Sequence, residues 1–149
     1  MKKVRQYTLR GQLDPSTLNE RVQLYDGRFD TAFRIVKFEV STINPTTSSA
    51  DASIIITTDA TITGNNWNWQ DQTQIAWASY LSQGGDSGVY HNSFIDPDHL
   101  IVEDIYISAF VADGQKGNYM LTLEQYETIP VWRAALAMVR NRAQGDRLG

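Results

Sequence analysis

A chain of 149 residues suits one domain, and folding at that size buries roughly 70% of the surface the unfolded chain exposes. It has no cysteine, which excludes disulfide frameworks, thiolate metal sites and cysteine nucleophiles. Its 17 acidic and 13 basic residues leave a net charge of −4, which speaks against a dedicated nucleic-acid binder, and no apolar run approaches the roughly 18 residues that a membrane span needs.

The opening MKKVRQYTLRGQL starts on two lysines, as a secretory signal does, but Arg5, Gln6 and Arg10 interrupt it and no apolar stretch follows. A soluble, unexported protein that keeps its first residues is expected. Residues 5–13 alternate, with Tyr7 and Leu9 on one face, so that 1–12 reads as an N-terminal arm or edge strand. Asp14-Pro15-Ser16 marks a turn. In ERVQLYDGRFDTAFRIVKFEVSTI (20–43), Val22 and Leu24 share a face, Asp26-Gly27 signals a tight turn, and a long strand follows. Phe33 and Ile35 there have one phase, whereas Val36, Phe38 and Val40 have the other. A strand of period two does this only by burying both faces or by inserting a bulge, and a bulge near Ile35 is expected.

NPTTSSAD (44–51) reads as a polar loop, ASIIITTD (52–59) as a strand, and TGNNWNWQDQTQ (63–74) as a loop rich in asparagine and tryptophan. QIAWASYL (74–81) alternates, with Ile75, Trp77, Ser79 and Leu81 on one face. SQGGDSGVYHNS (82–93) carries three glycines and reads as a mobile, exposed loop. Residues 100–111 form a strand, 113–118 a turn, and 119–127 a returning strand with Tyr119, Leu121 and Leu123 aligned. About seven or eight strands spaced by turn signals predict a mainly β fold, a single antiparallel β-sandwich or jelly roll. The end differs. Over 128–145, Thr128 is placed to cap a helix, Pro130 to sit in its first turn and Gly145 to end it. One amphipathic C-terminal helix is expected, with Val131, Ala135 and Met138 on one side and Trp132, Leu136 and Val139 on the next.

FIDPDHLIVEDIYI (94–107) gathers four acids and one of the chain's two histidines. Asp96, Asp98, His99, Glu103 and Asp104 are the residue types that hold a divalent cation. On a strand, however, Glu103 and Asp104 point to opposite faces, and the glycine-punctuated pattern of a calcium loop is missing. Asp96 is better placed to open an Asx-type turn, with Pro97 fixing the chain before it enters a buried strand. His91 and His99, with Ser93 and Asp96 or Asp98, match a hydrolase triad in type, but no nucleophile elbow surrounds Ser93. Tyr25 to Asp30 reads as a turn flanked by charges. There is no phosphate loop, zinc motif or dinucleotide fingerprint, and neither catalysis nor a cofactor is expected.

In NNWNWQDQ (65–72), Trp67 and Trp69 alternate with amides, a pattern that stacks on a sugar ring and bonds its hydroxyls, or that simply covers the end of the core. No basic residues accompany them, which weighs against single-stranded nucleic acid. The C-terminal helix must bury its apolar side on its own sandwich or on a neighbour.

Four stretches, RVQLYDGRFDTAFRIVKFEV (21–40), WQDQTQIAWASY (69–80), FIDPDHLIVEDIYI (94–107) and NYMLTLEQYE (118–127), together with AALAMVRNRAQ near the end, resemble small structural proteins of tailed bacteriophages of marine and aquatic bacteria. The resemblance covers a third to a half of the chain. It implies a virion component made in the host cytoplasm: a capsid decoration or cement protein, or else a neck, tail or fibre-attachment part. Its partners would be other virion proteins and copies of itself, with no direct contact to nucleic acid or membrane. The terminal segments are the expected contact arms, through Val4 and Tyr7 at one end and Trp132, Leu136, Val139 and Arg140 at the other. A carbohydrate-binding sandwich using Trp67 and Trp69 is the alternative.

Overall fold

The computed structural model describes residues 2–14, 19–24, 30–43, 50–60, 67–82, 89–111, 116–127, 129, 130 and 133. Eight strands run β1 (Lys2–Leu13), β2 (Asn19–Val22), β3 (Ala32–Thr42), β4 (Ala50–Thr57), β5 (Gln74–Ser82), β6 (Val89–Ile95), β7 (Ile105–Val111) and β8 (Gly117–Glu127). They form two antiparallel sheets, ordered β1-β8-β3 and β2-β7-β4-β5-β6. The first strand pairs with the last, the second with the seventh and the fourth with the fifth. β3 pairs with the other side of β8 and β6 with the other side of β5, and Ser93 Oγ of β6 donates across to the carbonyl of Phe38 in β3. The result is an antiparallel β-sandwich of a three-stranded and a five-stranded sheet.

The core between the sheets takes Phe33, Ile35 and Phe38 from β3, Ile54 and Ile56 from β4, Ile105 and Ile107 from β7, and Tyr119, Leu121 and Leu123 from β8. Three of these core residues stand in phase only because of a bulge. Ile35 faces Leu123 and Lys37 faces Thr122, so Val36 is the extra residue. Val36 turns outward while Phe38 is fully buried. Magnitudes explain the choice. Returning Phe38 to water would give up about 2–3 kcal/mol, whereas a ladder hydrogen bond lost at a bulge is worth about 1 kcal/mol net.

A second bulge reverses an expectation. Ile56 faces Ala76 but Thr57 faces Gln74, leaving Ile75 as the extra residue on β5. Ile75 joins the core with Ala76 and Ala78. Trp77, expected on the same face as Ile75, therefore lies on the outer side of the sheet, where it meets the ring of Trp69. Beyond Ile75 the core face of β5 is small, with Ala76 and Ala78 standing opposite Ile56 and Ile54 of β4.

The residues expected as a mobile loop are a strand in part: β6 spans Val89–Ile95. The strand expected over 100–111 is shorter, since β7 begins at Ile105. Ile101 instead makes one two-way backbone bridge to Phe33, at 2.8 Å in each direction. Leu100 and Val102 pack with Ala32 and Ile129 in a small cluster of their own. Residues 94–107 thus leave β6, close one end of the sandwich and enter β7. The expected turn is present: Asp96 Oδ1 accepts the backbone N–H of Asp98 at 3.1 Å. The helix expected over 128–145 lies outside the described residues except at Ile129, Pro130 and Arg133, where the N–H of Arg133 donates to the carbonyl of Pro130 at 3.0 Å.

Candidate functional site

The two outer faces of the sandwich differ in chemistry. On the three-stranded sheet the outer face is polar and charged. Lys3 pairs with Glu124, which also accepts the hydroxyl of Tyr126 at 2.7 Å, and Arg34 lies over the Tyr126 ring at 5.4 Å. The hydrogen bonds from Lys3 and Tyr126 hold the Glu124 carboxyl below its ordinary range. Charge on this face is largely matched within the chain.

On the five-stranded sheet the register lines up two ranks across the outer face. One reads Ser108, Ile55, Trp77, Phe94, and the next reads Phe110, Ser53, Ser79, Asn92. Neither rank contains a charge. Tyr90 extends the face beside Leu81. Phe94, Phe110 and Tyr90 are 44%, 45% and 56% exposed.

Residues 67–73 lie over the centre of this face. The Trp67 indole N–H donates to Ser53 Oγ at 3.0 Å, and its ring meets Phe94 edge-on at 6.1 Å. Trp69 rests against Trp77 at 5.8 Å and against Phe94 at 5.7 Å. Beneath them Ile55 is fully buried. The two tryptophans named from the sequence are therefore together, but not over the end of the main core. They form a smaller apolar cluster on the outside of the sheet. Trp67 is tied down, whereas Trp69 keeps 60% of its surface open.

The segment that holds Trp69 is itself hydrogen-bonded throughout. Gln74 Oε1 accepts both the Trp77 indole N–H at 2.7 Å and the backbone N–H of Asn68 at 2.9 Å. Asn68 Oδ1 accepts the N–H of Gln70 at 3.1 Å, and the Asn68 carbonyl accepts the N–H of Asp71 at 3.0 Å. Asp71 Oδ1 takes the N–H and hydroxyl of Thr73 at 3.0 and 2.7 Å. Trp69 thus sits at the second position of a β-turn whose first residue is an asparagine suited to it.

The other sequence-marked residues are dispersed. Ser93 is engaged with the β3 backbone, and His91 is exposed on β6. His99 is 2% exposed, with Nδ1 4.0 Å from Asp96 Oδ2. Asp104 lies elsewhere: its carboxylate accepts two N–H groups of Arg21 and the backbone N–H of Leu24. Glu103 and Asp104 are half-buried between Ile101 and β7, and the opposed strand faces expected for them do not arise because 102–104 is not a strand. Among the described residues no group of three or more histidine, aspartate or glutamate side chains is placed to hold a metal ion.

Of the expected contact arms, Val4 is the extra residue at a bulge in β1 and is exposed. Tyr7 is half-buried, its hydroxyl donating to Gln125 Oε1 at 2.8 Å. Trp132, Leu136, Val139 and Arg140 lie outside the described residues, as does the turn over 25–29. Phe94, Tyr90 and Phe110 were not singled out from the sequence. The available signal was the alternation of Tyr90, Asn92 and Phe94, masked by the glycines that precede it.

No family model matches the chain, and no curated protein matches it. Among solved structures the chain is similar to the NLP-core of Drosophila, described with insight into pentamer formation and histone binding. The likeness covers 85% of this chain and 100% of that one, at 8% identity and a TM-score of 0.43.

Proposed function

We propose that the protein is a non-enzymatic structural subunit of a tailed-bacteriophage particle, of the capsid decoration or cement type, that works by surface contact. One observation carries the contact part: the outer face of the five-stranded sheet has two central ranks without a charge and large apolar side chains left in water. Depletion of charge together with aromatic enrichment is the composition of a contact-surface core. Exposed apolar patches of this kind mark interaction sites. The particle setting rests on the sequence resemblance.

In such a particle the terminal segments, with Val4 on the β1 edge, would hold the subunit among its neighbours and its own copies, leaving the aromatic face for its partner. Many copies on one shell would multiply weak single contacts into stable attachment. Copy number distinguishes the decoration reading from the neck, tail or fibre-attachment one. Mass spectrometry of purified particles should find the protein at hundreds of copies. About a dozen or fewer would assign it to a neck or tail ring, and absence from particles would overturn the virion reading.

A further inference from the structure

We infer that the outer face of the five-stranded sheet binds a neutral carbohydrate, with the exposed ring of Trp69 as its stacking platform. This rests on the same face being a contact surface and names what it contacts.

Three observations converge on a sugar. The first is preorganisation. The turn over 68–71 is closed by its own backbone bond and by the side chains of Asn68 and Gln74, and the Trp69 ring is wedged against Trp77 and Phe94. The ring is nevertheless 60% exposed. A rigid aromatic surface gives up little conformational freedom when a ligand arrives.

The second is the arrangement of polar groups. Exposed Asn68 and Gln70 flank the ring, and Asn92 is exposed in the neighbouring rank beyond Ser79. Next to the rank that carries the Trp77 and Phe94 rings runs one that carries the Ser53 and Ser79 hydroxyls and the Asn92 amide, with Trp67 reaching across to Ser53. A pyranose has that same division, an apolar C–H face and a rim of hydroxyls. The ring face takes the first, and neutral donors and acceptors orient the second.

The third is charge. No cation stands in the two central ranks. Arg21, at the margin, is already engaged by Asp104. A sulfated, phosphorylated or uronic-acid polymer would find no counter-charge here, so the fit is to a neutral glycan.

Affinity electrophoresis of the full chain in gels containing dextran, mannan or galactan tests this, with alginate as the anionic comparison. Retardation is expected in at least one neutral gel and not in alginate. Trp69→Ala should weaken it at least about tenfold. Gln70→Ala, which leaves the ring cluster intact, should weaken it several-fold with an unchanged melting temperature. Absence of retardation in every neutral gel, or retardation that Trp69→Ala leaves unchanged, overturns the inference. The same variants added to particles stripped of the protein separate it from the reading beneath it. Should no neutral gel retard the wild type while Trp69→Ala loses particle attachment, the face contacts protein: the carbohydrate inference falls and the contact-surface reading stands. Should Trp69→Ala change neither, both fall.

Discussion

The ring of Tyr119 lies across Gly11, its directly opposed partner in β8 and β1. A Cβ on residue 11 would stand 2.5 Å from the phenolic oxygen and 2.6 Å from Cζ. An edge strand gains little from glycine by itself, and an aromatic partner covering the bare backbone compensates for the missing side chain. Gly11→Ala should therefore destabilise the protein by about 1–3 kcal/mol through overpacking, read as a lower urea midpoint. Combined with Tyr119→Leu, the loss should be smaller than the sum of the two single losses, because the clash partner is gone.

The same tyrosine makes stability fall at high pH. Its phenol is pushed up from 10.0 to about 12, first by burial and then by the charge and hydrogen bond of Glu20. The folded state thus holds this proton more tightly than the unfolded state. The resulting stability is complete below pH 10 and is lost as the pH rises through about 12. Wild type should lose denaturation midpoint between those values more steeply than Tyr119→Phe. Parallel curves for the two proteins would show that the shift is absent.

The bulge in β3 makes Val36 dispensable to the core. Val36 is exposed, so Val36→Ser should change stability by no more than about 0.5 kcal/mol. Deleting Val36 removes the extra residue and leaves Phe33, Ile35, Phe38 and Val40 at alternate positions of a regular strand, all in phase with the core. A cooperative thermal transition is expected for both variants, and its loss in the deletion would show that the bulge itself, and not only the phase it restores, is needed for the fold.

Asp104 fastens β2 to the start of β7 by accepting from both Arg21 and the backbone of Leu24. Asp104→Asn keeps the size but loses the charge that favours both bonds. Amide exchange over 19–24 should speed up by about tenfold while β8 stays protected, since a short edge strand opens locally before the sheet centre does. Uniform acceleration across the chain would show instead that Asp104 supports the whole fold.

Much of the sandwich was legible in the residues. Alternation located β1 and β8, the run of β-branched residues located β4, and the clash of phases between Ile35 and Val36 called for the bulge that the structure contains. The strand over 89–95 was not legible, because Tyr90, Asn92 and Phe94 alternate with polar partners after a glycine-rich run and resemble a loop until β5 is placed beside them. For Trp77, counting by twos from Ile75 pointed to the core. The extra residue at Ile75 is visible only once Thr57 and Gln74 are paired across the strands.

What the linear order determined is local: which segments extend, where they turn, and that Asp96 reverses the chain. These follow from neighbouring side chains and backbone preferences within a few residues. The aromatic face was decided by tertiary pairing. Trp69, Trp77 and Phe94 are brought together by the β5–β6 register and by a turn anchored on Gln74. A contact surface belongs to that registration, because side chains far apart along the chain share a face only after the strands have aligned.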